Sequence, residues 1–425
     1  MKSVLTASFL VLTYLVQSQN PYFKYCKSIQ SAQLLKNGNS LNFPVLKLNS
    51  SDELQLYFDD LDAKIKNYYY TYQLCNSDWT VSSLNYFNYI KGFQNVRINT
   101  YRNSSIALTP YIHYQANIPS KSSVITRSGN YLLKIFLDAD TSKLVFTKQF
   151  IVVDKKVDVV ANVLQPFSGE FFRTHQKVQI AFTVNQQLNV FSPQDFSVVI
   201  LQNNVWNSAV TLMNPSVFRD KYFEYNDELL STFSAGKAWR WIDLRSFKLM
   251  SERMTRLEKK LTQTNVFVKT DEERQQQPLI NYRDINGVLF IETTDNVNPF
   301  WQADYATVHF SFSPPANKAY YKKDVYLFGE LTNYAKNENA KMRFNEEKGM
   351  YETELFLKQG FYNYTYCIAN EKNQTGQNNF KNLDGNYWAT DNSYTVLVYY
   401  HPFGGRADEL VGVTTISSNF QIRSD

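Results

Sequence analysis

Catalysis needs a nucleophile, an acid and base pair, or a metal, held within reach of one another. The residue types that could supply these are scattered along this chain. His113, His175, His309 and His401 stand alone, with no pair at metal-ligand spacing and no nucleophile-elbow sequence. His309, inside the apolar run Thr307-Val308-His309-Phe310, reads as a packed or hydrogen-bonded core histidine. Asp59-Asp60-Leu61-Asp62 would offer calcium the oxygen ligands a hard cation prefers, but Asp is also a favoured turn former, and a turn is the stronger reading. Asp284-Ile285-Asn286-Gly287 opens like a calcium loop yet lacks the distal Glu, so it predicts a hairpin turn. With 39 acids and no motif, the carboxylate pair of a glycosidase cannot be chosen. Cys26, Cys75 and Cys367 are odd in number and far apart, which implies no disulfide framework; Cys75 and Cys367 lie in Tyr-rich strand patterns and read as buried thiols. Glycosylation motifs occur at Asn49, Asn103, Asn363 and Asn373. Trp301, Tyr334 and Trp388 fall in or near turns, where sugar-stacking platforms lie; most other aromatics alternate within strands and read as core. No catalytic residue, cofactor or metal site is assigned.

The elements that would position these residues are strands. Leu54, Leu56 and Phe58, then Tyr68, Tyr70, Tyr72 and Leu74, then Val178, Ile180, Phe182 and Val184 recur with period two, which places each set on one face of a half-buried strand. Turn signals stand between them at Asn37-Gly38-Asn39, Ser128-Gly129-Asn130 and Asn286-Gly287. Many short strands with such turns mark β-sandwich domains. The length of 425 residues argues for two to four domains at roughly 100 to 200 residues each. Aromatic residues at 16% argue against a disordered chain, and a net charge of +5 spread along the sequence is too diffuse to predict a nucleic-acid groove.

Residues 1–18 carry a basic start at Lys2, an apolar core from Val4 to Val16 and a small residue at Ser18, the pattern of a secretory signal peptide. That core is 13 residues long and a membrane-spanning helix needs about 20, so neither it nor any later segment predicts a span. A first β-sandwich is expected over 19–155 and a second over 156–314, with a helical or irregular insertion near 214–280. In that insertion Met254, Leu257 and Leu261 have helical spacing. Pro314-Pro315 predicts a stiff joint to a third sandwich over 315–425.

Several blocks in order, Phe58 to Asp62, Tyr68 to Trp79 (YYYTYQLCNSDW), Tyr89 to Phe93 and Ser128 to Lys134, resemble the type IX secretion system plug protein family of Bacteroidota. Ala235 to Asp243 (AGKAWRWID), Tyr282 to Gly287, Ala303 to Phe310, Asp391 to Tyr400 and Gly405 to Gly412 agree with it, so the resemblance extends over nearly all of the chain after residue 18. It implies tandem immunoglobulin-like β-sandwich domains and a non-catalytic periplasmic protein. That protein would close the periplasmic mouth of a giant outer-membrane translocon barrel of the SprA or Sov type. Because Trp and Arg are enriched at interface hot spots, the expected partner contacts are Asp78, Trp79, Lys91 and Phe93 in the first domain and Trp239, Arg240 and Trp241 in the second. Val325 to Tyr334, with Gly349-Met350-Tyr351 and Gly360 to Tyr364, is similar to glycogen-binding sandwich modules, with Tyr334 where Trp is usual. That likeness implies the alternative of an exported glycan-binding protein with contacts at Tyr334 and Trp388.

Overall fold

Leu54, Leu56 and Phe58 on one strand and Tyr68, Tyr70, Tyr72 and Leu74 on another point into a single core, as their alternation requires. A computed structural model of the chain describes residues 27–185, 188, 190, 192–277, 284–336, 338–370 and 381–418. The signal-peptide pattern, Cys26, Tyr282, Arg283 and Asn373 lie outside them. Among the described residues the fold is nearly all β, with no helix of seven residues or more.

Two sheets face each other in the first unit. One runs in the order Ile29–Lys36, Leu54–Asp60, Ile112–Ile118, Thr100–Asn103, the other Val45–Lys47, Leu144–Val153, Gly129–Leu137, Tyr68–Cys75, Val96–Arg97. Phe58 joins the layers, with its ring against Tyr68, Tyr114 and Phe146 at about 5 Å.

The second unit packs one sheet, Val157–Leu164, His175–Val184, Tyr222–Tyr225, Val217–Arg219, on another, Val210–Leu212, Phe196–Gln202, Ser393–Tyr400, Glu409–Ser417. Half of this second sheet therefore comes from the far end of the chain: Phe196–Gln202 pairs antiparallel with Ser393–Tyr400, Phe196 opposite Tyr400. The third unit is one long sheet folded over its own core, in the order Arg240–Asp243, Phe361–Asn370, Lys323–Phe328, Lys341–Asn345, Met350–Lys358, Tyr305–Ser313, Thr264–Val268, Met254–Lys259. Phe310 meets Tyr364 and Phe312 meets Tyr366 across that core.

The expected boundaries at 156–314 and 315–425 are thereby corrected. Tyr305–Ser313 pairs with Met350–Lys358 along its length, so Pro314-Pro315 ends a strand without dividing two bodies. The third unit is inserted into the second, between Thr232–Ser234 and Ser393–Tyr400. The expected insertion near 214–280 is not a separate element: its first strands complete the second unit and the rest belong to the third. Ser251 to Gln263 is not helical either. Met254–Lys259 and Thr264–Val268 form an antiparallel pair with a register shift at Met254/Arg256, and cross-strand packing there overrides the helical spacing.

Candidate interaction surface

A small ribbon projects from the first unit. Ile90–Gly92 pairs with Ser123–Ile125, with Ile90 opposite Ile125, Lys91 opposite Val124 and Gly92 opposite Ser123. The period of two buries Ile90 and Ile125 in the core and turns Lys91 and Val124 outward. Gly92 has φ +105°, and a Cβ there would stand 2.2 Å from the Ser122 carbonyl oxygen, so only glycine fits. The next residue, Phe93, donates its N–H to the same carbonyl (2.8 Å) and presents a ring that is 71% exposed. Before the ribbon, Asn85 caps the short turn Tyr86–Asn88 by accepting from the Phe87 N–H. Tyr86 packs on the core, while Phe87 is 72% exposed. Lys91, in the ribbon, and Lys121, next in chain to the Ser122 whose carbonyl holds Phe93, are exposed and in no ion pair among the described residues.

Of the residues expected at a partner surface, Lys91 and Phe93 are thus on display. Asp78 is exposed, but its Oδ1 accepts from the Thr80 N–H (2.9 Å) and hydroxyl (2.6 Å) and so shapes the turn. Trp79, at φ +67°, packs edge-on against Trp206 (4.8 Å) and joins the first unit to the second. Arg240 is 4% exposed, which corrects its placement at a surface. Its guanidinium donates to Asp271 (3.0 Å), Asp384 (2.5 Å) and the Glu272 carbonyl (2.7 Å). Arg253 reaches Asp271 and Arg274 reaches Asp384, while the hydroxyls of Tyr364 and Tyr366 donate to the other Asp271 oxygen. Burial alone would raise the Asp384 carboxyl, but Arg240 and Arg274 outweigh it and hold the group below the usual carboxylate range. Trp239 is buried as well, its ring over Gly287 and alongside Phe328 (6.4 Å). Trp241 is half-buried and stacks on Phe361 (5.8 Å).

The aromatics expected to hold sugars have other neighbours. The Tyr334 hydroxyl donates to the Gly287 carbonyl (3.0 Å) and its ring meets Phe328 edge-on. Trp388 is half-buried, with its N–H donated to the Arg173 carbonyl and its carbonyl accepting from Gln176. Trp301 lies under the Arg102 guanidinium (4.3 Å), between the first and third units.

The isolated histidines and acids are absorbed in the same way. Asp59 is fully buried and accepts from the Tyr305 hydroxyl (2.6 Å) and the Lys358 ammonium (2.5 Å), with His113 Nδ1 at 2.6 Å. This cluster ties the first unit to the third. Asp60 takes the Tyr68 hydroxyl and Lys66, and Asp62 also meets Lys66. His113 is the deeply buried histidine; His309 is half-buried, stacked on Phe267 (4.4 Å) with Asn265 at 3.1 Å. Cys75 and Cys367 are buried and free, and burial raises the Cys75 thiol to about 12. Asn363 is buried, with its side-chain oxygen accepting the Ile285 N–H, so its glycosylation motif is closed in the folded chain.

A model of the type 9 secretion system plug protein first domain matches residues 29–154, the whole of the first sandwich and its ribbon. The chain belongs to the type 9 secretion system plug protein family. A crystal structure of a hypothetical protein from Parabacteroides merdae is similar to this plug-family chain over 93% of its length and 99% of that chain. The two share 30% identity, with a TM-score of 0.87. Salmonella alpha-2-macroglobulin is found at 8% identity, covering 95% of this chain and 24% of that one, with a TM-score of 0.19, too low to bear on the fold. No curated protein sequence matches.

Within the plug domain, sequence reasoning missed Phe87, Lys121 and Val124. A legible signal was available: no Asp or Glu occurs between Asp78 and Asp138, while Lys91, Arg97, Arg102, Lys121, Arg127 and Lys134 all fall in that stretch. The whole-chain charge hides it. A second exposed apolar cluster, Phe167, Phe172, Leu229 and Leu230, gave no sequence signal. Glu228 assembles it by accepting the N–H groups of Phe167 and Ser168 and the Lys177 ammonium.

Proposed function

We propose that this protein is a non-catalytic plug subunit, exported to the periplasm by its N-terminal signal peptide. There it closes the periplasmic opening of the giant outer-membrane translocon barrel, of the SprA or Sov type, in type IX secretion. The observation that carries this reading is the plug-domain match over 29–154. The mechanism is exclusion. The largest outer-membrane barrels have about 36 strands and an aqueous lumen wide enough to need closing. A plug must be stiff, and the contacts between units favour stiffness: Asp59, Tyr305 and Lys358 join the first unit to the third. Ser77 donates its N–H and hydroxyl to Asp408, and the Tyr399 hydroxyl donates to Asn130, joining the first unit to the second. Hydrogen-bonded networks of this kind, buried at Asp59 and at Tyr399, resist domain motion. The plug leaves the pore when the translocon engages another partner and cargo.

Affinity isolation of the tagged full chain from gently solubilised membranes, with mass spectrometry of what accompanies it, tests this. A giant β-barrel should be recovered. Recovery of the chain alone, from cells with a working secretion system, would sink the reading.

A further inference from the structure

We propose that the ribbon of the first unit is a membrane-surface contact, with Phe87 and Phe93 entering the headgroup region of an anionic lipid layer and Lys91 and Lys121 held at its charged surface. The two rings are among the most exposed large apolar groups of the described residues, and the exposed Val124 stands opposite Lys91 in the ribbon. Nothing in the local sequence opposes an anionic partner, since the stretch from Trp79 to Leu137 contains no acid. The acids at the ribbon's base are already engaged: Asp408 accepts from Ser77, with His401 at 2.8 Å, and Glu409 faces Arg127 and Lys156.

The composition of the patch favours lipid over protein. Interfaces between proteins are enriched in aromatic residues, Phe among them, and in Arg, but depleted in Lys, so the lysines are what separate the two kinds of partner. Here phenyl rings stand with two lysines that are in no ion pair among the described residues, a combination that suits a fluid apolar layer beneath negative headgroups. The ribbon can deliver them because its own strand pairing satisfies its backbone and the buried Ile90 and Ile125 anchor it. This contact does not depend on the plug reading, although it would seat a plug beside a barrel.

The test is cosedimentation of the full chain with vesicles of phosphatidylethanolamine and phosphatidylglycerol, and with phosphatidylcholine vesicles as the neutral comparison. Binding should occur on the anionic vesicles and weaken with salt. Phe87→Ser with Phe93→Ser, or Lys91→Glu with Lys121→Glu, should weaken it by about tenfold or more. Their thermal unfolding should match that of the unsubstituted chain, since all four side chains are exposed. No binding to anionic vesicles, equal binding to neutral ones, or variants that bind as well as the parent would overturn the proposal. Loss of barrel recovery by the lysine variant without any vesicle binding would also overturn it, and would assign the ribbon to an acidic protein surface.

Discussion

Arg240 shows how a surface-looking residue becomes structural. It sits in AGKAWRWID between two tryptophans, yet its charge is enclosed by Asp271 and Asp384, each of which is also reached by a second arginine. Removing one partner of a buried pair strands the others, at about 3 to 5 kcal/mol. Arg240→Ala should therefore lower stability to urea by about that amount, and a loss under about 1 kcal/mol would contradict the network's role. Asp284 behaves in the opposite sense to Asp384. Its oxygens accept the Trp239 and Asn286 N–H groups, but burial dominates and raises its carboxyl to about 6. A carboxyl whose folded pKa lies above its unfolded value of about 3.9 favours the fold when protonated, and that contribution is lost as pH rises through about 6. Asp384, held low, contributes above its unfolded pKa and loses that contribution as pH falls through the depressed folded value. Asp284→Asn should accordingly raise the urea midpoint at pH 8, by about 1 to 2 kcal/mol in stability, with the gain vanishing near pH 4. A gain independent of pH would show that the charge is not the cause.

At the scale of elements, turns were legible and partnerships were not. Asp284-Ile285-Asn286-Gly287 forms a turn, with Asn286 at φ +55° and Gly287 at φ +82°, and the strand that follows it, Leu289–Phe290, pairs with the distant Phe361–Asn370. The tertiary addition is Trp239, which lies over Gly287 so closely that a Cβ would be 2.7 Å from its ring. Gly287→Ala should cost about 1 to 3 kcal/mol through overpacking and backbone strain, and the Trp239 fluorescence environment should shift with it. An unchanged melting temperature would contradict that contact. Met254, Leu257 and Leu261 failed as a helix because three apolar residues at a spacing of three or four also fit a strand, a bulge and a turn. Only Met254 is buried; Leu261 is 96% exposed, at the tip of the Met254–Lys259/Thr264–Val268 pair.

At the scale of the molecule, the second sandwich depends on strands that arrive about two hundred residues later, Ser393–Tyr400 opposite Phe196–Gln202. The two crossings of chain into and out of the third unit run side by side, with Gly236 donating to Asn386 and accepting from Tyr387, and Ala235 accepting from Asn392. Gln176 and Asn392, both buried, hydrogen-bond each other at this seam. A fragment of residues 156–314 should therefore fail to fold cooperatively, whereas 156–418 should fold. A sharp thermal transition in the shorter fragment would overturn the topology. Exposure of Val198, Ile200 and Phe196 without their partners is the physical reason for expecting failure.

The sequence by itself determined the class of fold, because alternation, β-branched and aromatic residues and Asn-Gly turns are local properties read within a few residues. It also carried the plug-family likeness in ordered blocks, and through Lys91 and Phe93 it pointed at the ribbon. Only the tertiary structure decided which strands share a sheet, that Arg240 and Trp239 face inward, and that Asp59 joins two units. Those outcomes depend on pairings across 31 to 299 residues of chain, from Arg240 with Asp271 to Lys358 with Asp59. No local pattern encodes such pairings: burial and charge compensation are set by the neighbour that arrives, and the neighbour is a property of the fold.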